Sequence, residues 1–200
     1  DKDGKLVVLY AGNKEAQHSY IEIAKDKGYQ VLLLDSPIIP HLIQKLESDN
    51  SGLTFVRVDS DHIDNLIKKE ETAISKLSTE EQESLKTVVE TIVPKQTYTV
   101  QLEALDSSAA PFIITQPEFM RRMKEMSQTG GGGMFGMGNF PEMYNLVVNT
   151  NSDLATSILN NEDKTVQENL VKQALDLAKL SQNLLKGEAL TAFVKRSFEM

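Results

Sequence analysis

The first part of the chain alternates short apolar runs with amphipathic ones. Lys5 to Tyr10 (KLVVLY), Gln30 to Leu34 (QVLLL) and Leu53 to Val58 have the length and composition of buried strands. Between the first two, Asn13 can cap a helix reaching about Lys27, with Ala16, Tyr20 and Ala24 on one side and Gly28 as its stop. Pro40 opens a second helix, with Leu42, Ile43 and Leu46 apolar. Strand, helix, strand, helix, strand at this spacing predicts a small parallel sheet with right-handed crossovers and flanking helices. From Asp61 to Pro94 the period becomes helical and the sequence strongly charged. Ser78 and Glu81 form a capping box, followed by Leu85, Val88, Val89 and Ile92 on one face.

A second alternating region follows. Tyr98, Val100, Leu102 and Ala104 fall on one face of a strand, Ala110 to Thr115 is a buried strand, and Met143 to Asn149 is another. Ser152 can cap a short helix through Asn160. The longest helix is expected from about Asp163 to Leu185, then a break at Gly187 and a last helix from Glu188 to about Phe198. The pattern divides the chain into residues 1–60, a small α/β unit; 61–94, a helical connector; and 95–200, an α+β domain ending in a helical hairpin. The long helix carries two adjacent apolar stripes, more than one small sheet can cover. Leu175, Leu177, Ala178, Leu184, Leu185, Leu190, Phe193 and Val194 are therefore candidates for a two-fold, four-helix dimer contact. Packing of the hairpin against its own sheet is the other reading.

Between these strands lies an unusual stretch. Six of the seven methionines fall between Met120 and Met143, and six of the eleven glycines between Gly130 and Gly138. Thr115 and Glu118 have capping-box spacing, and Phe119, Met123 and Met126 then share one helical face. Met134, Phe135, Met137 and Phe140 continue the apolar chemistry through the glycines. Unbranched methionine repacks against differently shaped partners, so the stretch reads as an adaptable binding surface; the plain alternative is a core face.

Composition narrows the chemistry. The net charge of -8 with no basic cluster argues against nucleic acid as the main partner. No cysteine is present, so neither disulfide nor thiolate chemistry is available. No apolar run approaches the roughly 18 residues of a membrane span. No signal peptide opens the chain, which starts at Asp1 without a methionine and reads as a fragment of a longer polypeptide. His18, His41 and His62 lack metal-ligand spacing, and no catalytic constellation stands out. Gly131, Gly133 and Gly136 match G-x-G-x-x-G, but they follow a helix and do not join a strand to one. A small α/β enzyme or nucleotide-binding module using the Gly130–Gly138 loop remains the alternative to a binding and assembly module.

Several runs, taken in order, resemble one family. GYQVLLLDSPI (Gly28 to Ile38), SAAPFIITQPEFMRRMKEM (Ser108 to Met126), MYNLVVNTNSDL (Met143 to Leu154) and the closing NLVKQALDLAKLSQNLLKGEALTAFVKRSFEM are similar to the ninety-kilodalton heat-shock protein chaperones, bacterial type. The resemblance implies the end of a middle domain followed by a carboxy-terminal dimerisation domain. It also implies a cytoplasmic, homodimeric stress-response chaperone whose full-length form uses ATP with magnesium at a site upstream, leaving no cofactor or catalytic residue here. The family's client-contacting helix maps onto Phe119, Met120, Met123 and Met126, and a second contact onto Gln44 and His41, where the family has tryptophan. The departures are the glycine–methionine insert and Asn149-Thr150-Asn151-Ser152, where the family writes N-P-x-H.

Overall fold

A computed structural model describes residues 4–67, 73–122 and 143–198. They cluster into two compact units, each built from two separate stretches: residues 4–67 with 115–122 and 143–144, and residues 73–114 with 145–198. This division differs from the sequential one drawn from the pattern, because the described residues 115–122 cluster with the first unit.

In the first unit, β1 (Leu6–Ala11) lies between β2 (Leu32–Leu33) and β3 (Leu53–Arg57), parallel to both. The register pairs Leu6 with Leu53 and Tyr10 with both Arg57 and Leu32. Helix α2 (Ile39–Asp49) packs on this sheet. Its Ile43 joins Tyr10 and Phe55 in a buried cluster, ringed by Val8, Leu34, Ile39 and Leu46. Helix α1 (His18–Asp26) buries Tyr20, Ile21 and Ala24. It stops where Gly28 takes φ of 82°, with the Tyr29 amide reaching Ala24 O and the Gly28 amide Lys25 O. Two expectations need correction. Asn13 closes a turn by accepting from the Glu15 and Ala16 amides, so α1 begins one turn later than its capping signal suggested. The expected buried strand Gln30–Leu34 shrinks to two residues, and both leucines are exposed. Helix α3 (Ile63–Leu66) is capped by His62, whose Nδ1 accepts from the Asp64 amide.

In the second unit, α4 (Thr79–Ile92) starts with both halves of the capping box: Ser78 Oγ accepts from the Glu81 amide and Glu81 accepts from the Ser78 amide. Its Leu85 and Val89 are fully buried. The helix packs against β4 (Tyr98–Glu103), α5 (Asp153–Asn160) and α6 (Lys164–Ser181). The sheet has the order β4, β6 (Tyr144–Asn149), β5 (Phe112–Thr115). Leu146, Val147 and Val148 of the central strand are all fully buried, so both of its faces are covered. Helix α6 ends at Ser181, short of the expected Leu185. Asn183 adopts φ of 55°, the Leu184 amide bonds Lys179 O and the Asn183 amide bonds Leu180 O, an asparagine-terminated Schellman arrangement. Helix α7 (Gly187–Phe198) is tied back to α6 by Arg196 to Asp176 at 2.7 Å.

Candidate functional site

The described start of the methionine helix, residues 118–122, belongs to the first unit and is fixed there by its two arginines. Thr115 does not cap it. Thr115 ends β5, and its hydroxyl is buried without a partner. Glu118 instead accepts from Arg121 and Arg122, its neighbours on the same helical face. Arg121 is buried, donates to the Tyr10 hydroxyl at 2.6 Å and lies 5.7 Å from the centre of the Tyr10 ring. Arg122 forks onto Glu47 of α2, with Nη1 to Oε2 at 2.9 Å and Nη2 to Oε1 at 3.2 Å. Its Nη2 also donates to Phe55 O at 2.9 Å, while the Phe55 amide donates to Glu47 Oε1 at 2.8 Å. Burial works against charge on both partners. The bonds from Arg122 and the Phe55 amide nonetheless hold the Glu47 carboxyl below its usual range, and bonds to Glu47 and Glu118 push the Arg122 guanidinium up.

With its arginines turned inward, the same turn leaves Phe119 71% exposed and Met120 half-buried. Gln44 and His41, the other expected contact, are exposed on α2 beside the inward-facing Ile43. Met123, Met126, Met134, Phe135 and the Gly130–Gly138 loop lie outside the described residues.

The candidate dimer residues divide. Leu175, Ala178, Leu185 and Phe193 are buried within the chain, so they form core and are not open to a partner. Leu184 and Leu190 are half-buried. Leu177, at 50%, and Val194, at 41%, are exposed. So are Val166, Leu180 and Phe198, which the sequence did not single out as contacts. On α6, Val166, Leu177 and Leu180 fall along one stripe, and on α7 Val194 and Phe198 are four apart.

A cleft of about 610 Å³ opens in the first unit beyond the carboxyl ends of its strands, lined among others by Tyr10, Leu34, Asp35, Pro40, Arg57 and Arg121. Parallel sheets often bind phosphates at such a place, using free amides of the first strand–helix turn. Here those amides are taken. Gly12 N and Asn13 N both donate to Gln17 Oε1, at 2.8 and 2.9 Å, and Arg57 is engaged by Asp59. Among the described residues, no group of three or more histidine, aspartate or glutamate side chains could hold a metal ion. No described helix is long and apolar enough to cross a membrane.

The run from Asn149 to Ser152, read from the sequence as a departure from the family pattern ending in a helix cap, also forms a buried polar cluster. Asn149, Thr150, Asn151 and Ser152 are all buried. Asn149 Oδ1 accepts from the Leu105 and Asn151 amides, and its Nδ2 donates to Asp106 O. Asn151 accepts from the Lys76 amide and donates to Ile74 O and Leu105 O, while Thr150 meets Ser75. The four residues thus pin residues 74–76 and 103–106 to the end of β6, and Ser152 caps α5. The run of asparagine, threonine and serine before a helix was the available signal.

Set against known proteins, the chain matches molecular chaperones. No family profile matches it. Its relatives are chaperone proteins HtpG: that of Porphyromonas gingivalis is 43% identical over 183 residues, covering 90% of this chain and 27% of the relative. The protein of Bacteroides thetaiotaomicron is 35% identical over 267 residues and that of Bacteroides fragilis strain 638R 33%, each covering 100% of this chain and 39% of the relative. The chain is homologous to the HtpG chaperones along nearly its whole length, as its motifs indicated, and spans between 27% and 39% of the curated relatives it matches.

Proposed function

We propose that this chain serves a chaperone of the HtpG type by presenting apolar surface to non-native proteins and by pairing with a second copy of itself. The carrying observation is Phe119, 71% exposed on a turn whose arginines are both bonded into the first unit. An exposed phenylalanine on an anchored helix start offers contact area at little ordering cost, which suits binding of varied apolar segments. Pairing would use the exposed stripes of α6 and α7 rather than the buried residues between them, which hold the hairpin to its own unit. ATP with magnesium would act elsewhere in the longer protein, with no catalytic residue here, in the cytoplasm. The self-satisfied Gly12–Asn13 turn weighs against a phosphate-binding enzyme built on this sheet.

Two substitutions test the reading. Phe119→Asp is expected to abolish suppression of client aggregation while leaving the far-ultraviolet spectrum unchanged; full suppression by the variant would refute the client surface. Leu177→Asp is expected to convert a dimer to a monomer in light scattering at micromolar concentration, and a monomeric parent would remove the pairing proposal.

A further inference from the structure

The ion pair between Arg122 and Glu47 does something a surface pair ordinarily does not. β3 is an edge strand, since the sheet order is β2, β1, β3. An edge residue whose amide and carbonyl face away from the sheet would normally meet solvent or another strand. At Phe55 both groups are met by the ion pair: the amide donates to Glu47 Oε1, and the carbonyl accepts from Arg122 Nη2. The guanidinium is at the same time bonded to Glu118 through Nε at 2.7 Å. One pair of side chains therefore joins three elements, α2, β3 and the helix start at residues 118–122. Two of the exposed residues expected to meet clients sit within a turn of this joint. Gln44 is three residues before Glu47 and Phe119 three before Arg122.

We propose that Arg122 and Glu47 are positioning residues for client binding, fixing the direction in which Phe119 and Gln44 are presented by locking their two helices onto the β3 edge. The inference rests on the client-binding reading given above. Neither charged residue touches the client. The geometry favours this role over general stabilisation, because the pair is partly exposed while two of its bonds run directly between the two contact-bearing elements and two more hold them to Phe55. Five bonds made by two side chains define an orientation as well as an attachment.

The chain contains no tryptophan, so Phe119→Trp supplies a single fluorescent reporter at the contact itself. In that background Glu47→Gln keeps the side-chain volume and an acceptor for the Phe55 amide but removes the ionic fork. The probe is a reduced, carboxymethylated globular protein that stays unfolded and carries a fluorescein label. Glu47→Gln is expected to lower the reporter's anisotropy and weaken binding of the probe roughly tenfold, with the melting temperature little changed. Arg122→Lys, which keeps the charge but cannot fork, is expected to behave like Glu47→Gln and not like the parent. Unchanged probe affinity in Glu47→Gln and Arg122→Lys, while Phe119→Asp abolishes binding, would overturn the positioning role alone. Unchanged affinity in Phe119→Asp would overturn the client reading and the positioning role with it. A fall in affinity matched by an equal loss of dimer mass and melting temperature would show a merely structural pair and also overturn the proposal.

Discussion

Two polar clusters hold distant stretches of this chain together, and they do it in opposite ways. In the first unit the joint is ionic and half-exposed, made by Arg122 with Glu47 and Glu118. In the second it is neutral and buried, made by Asn149, Thr150 and Asn151. A neutral amide loses little on burial when its donors and acceptors are matched, so the asparagine cluster can be sealed inside and act as fixed structure. A charged pair loses more on burial, keeps contact with water, and stays sensitive to salt and acid. The permanent tie lies at the end of β6 in the second unit, and the adjustable one beside the exposed phenylalanine.

The contrast can be broken at its strongest point first. Asn149→Ala leaves the Leu105 and Asn151 amides without their acceptor. Urea unfolding should show a loss of about 3 kcal/mol that does not depend on salt. Glu47→Gln should cost less, about 1 kcal/mol, because the pair is partly exposed. Its effect should shrink as salt is raised, and a salt-independent loss would mean that the two clusters are physically alike. Acid sharpens the difference. The Glu47 carboxyl is held below its usual range, so its contribution is present above the ordinary carboxylate value and lost as pH falls through the lower folded value. A titration of stability should show that loss in the parent and not in Glu47→Gln. The smallest effect belongs to His62, whose burial lowers its pKa against the opposing pull of Asp64. The unfolded chain then takes the proton first, so stability should decline as pH drops below about 6.5, and His62→Asn, which retains a capping acceptor, should flatten that decline.

Local signals in the sequence were readable where the chemistry is local. Ser78 with Glu81 announced the start of α4, and Gly28 the end of α1, because caps depend on a few neighbouring residues. Period gives the faces of α6 and α7 but not what covers them, so Leu175 and Phe193 read the same as Leu177 and Val194 although only the latter two are exposed. The tip of α6 misled for a related reason: apolar spacing continues to Leu185, while Asn183 turns the backbone away. At residues 115–122 the capping spacing was present, but the strand claimed Thr115 and the arginines claimed Glu118. The asparagine cluster has no period at all. Its partners at Ile74, Leu105 and Asp106 are distant in sequence, so nothing short of the fold brings them together.

Gln17 has a wider consequence for the cleft above the first sheet. Its side-chain oxygen is a ligand carried on the same chain, four and five residues from the two amides it occupies. Tethering over so short a loop gives it an effective concentration of millimolar order or higher. A free anion must outcompete that standing occupant before it can use the turn. The turn at the end of β1 is thus filled from within, by a side chain five residues away that no dialysis or competitor removes.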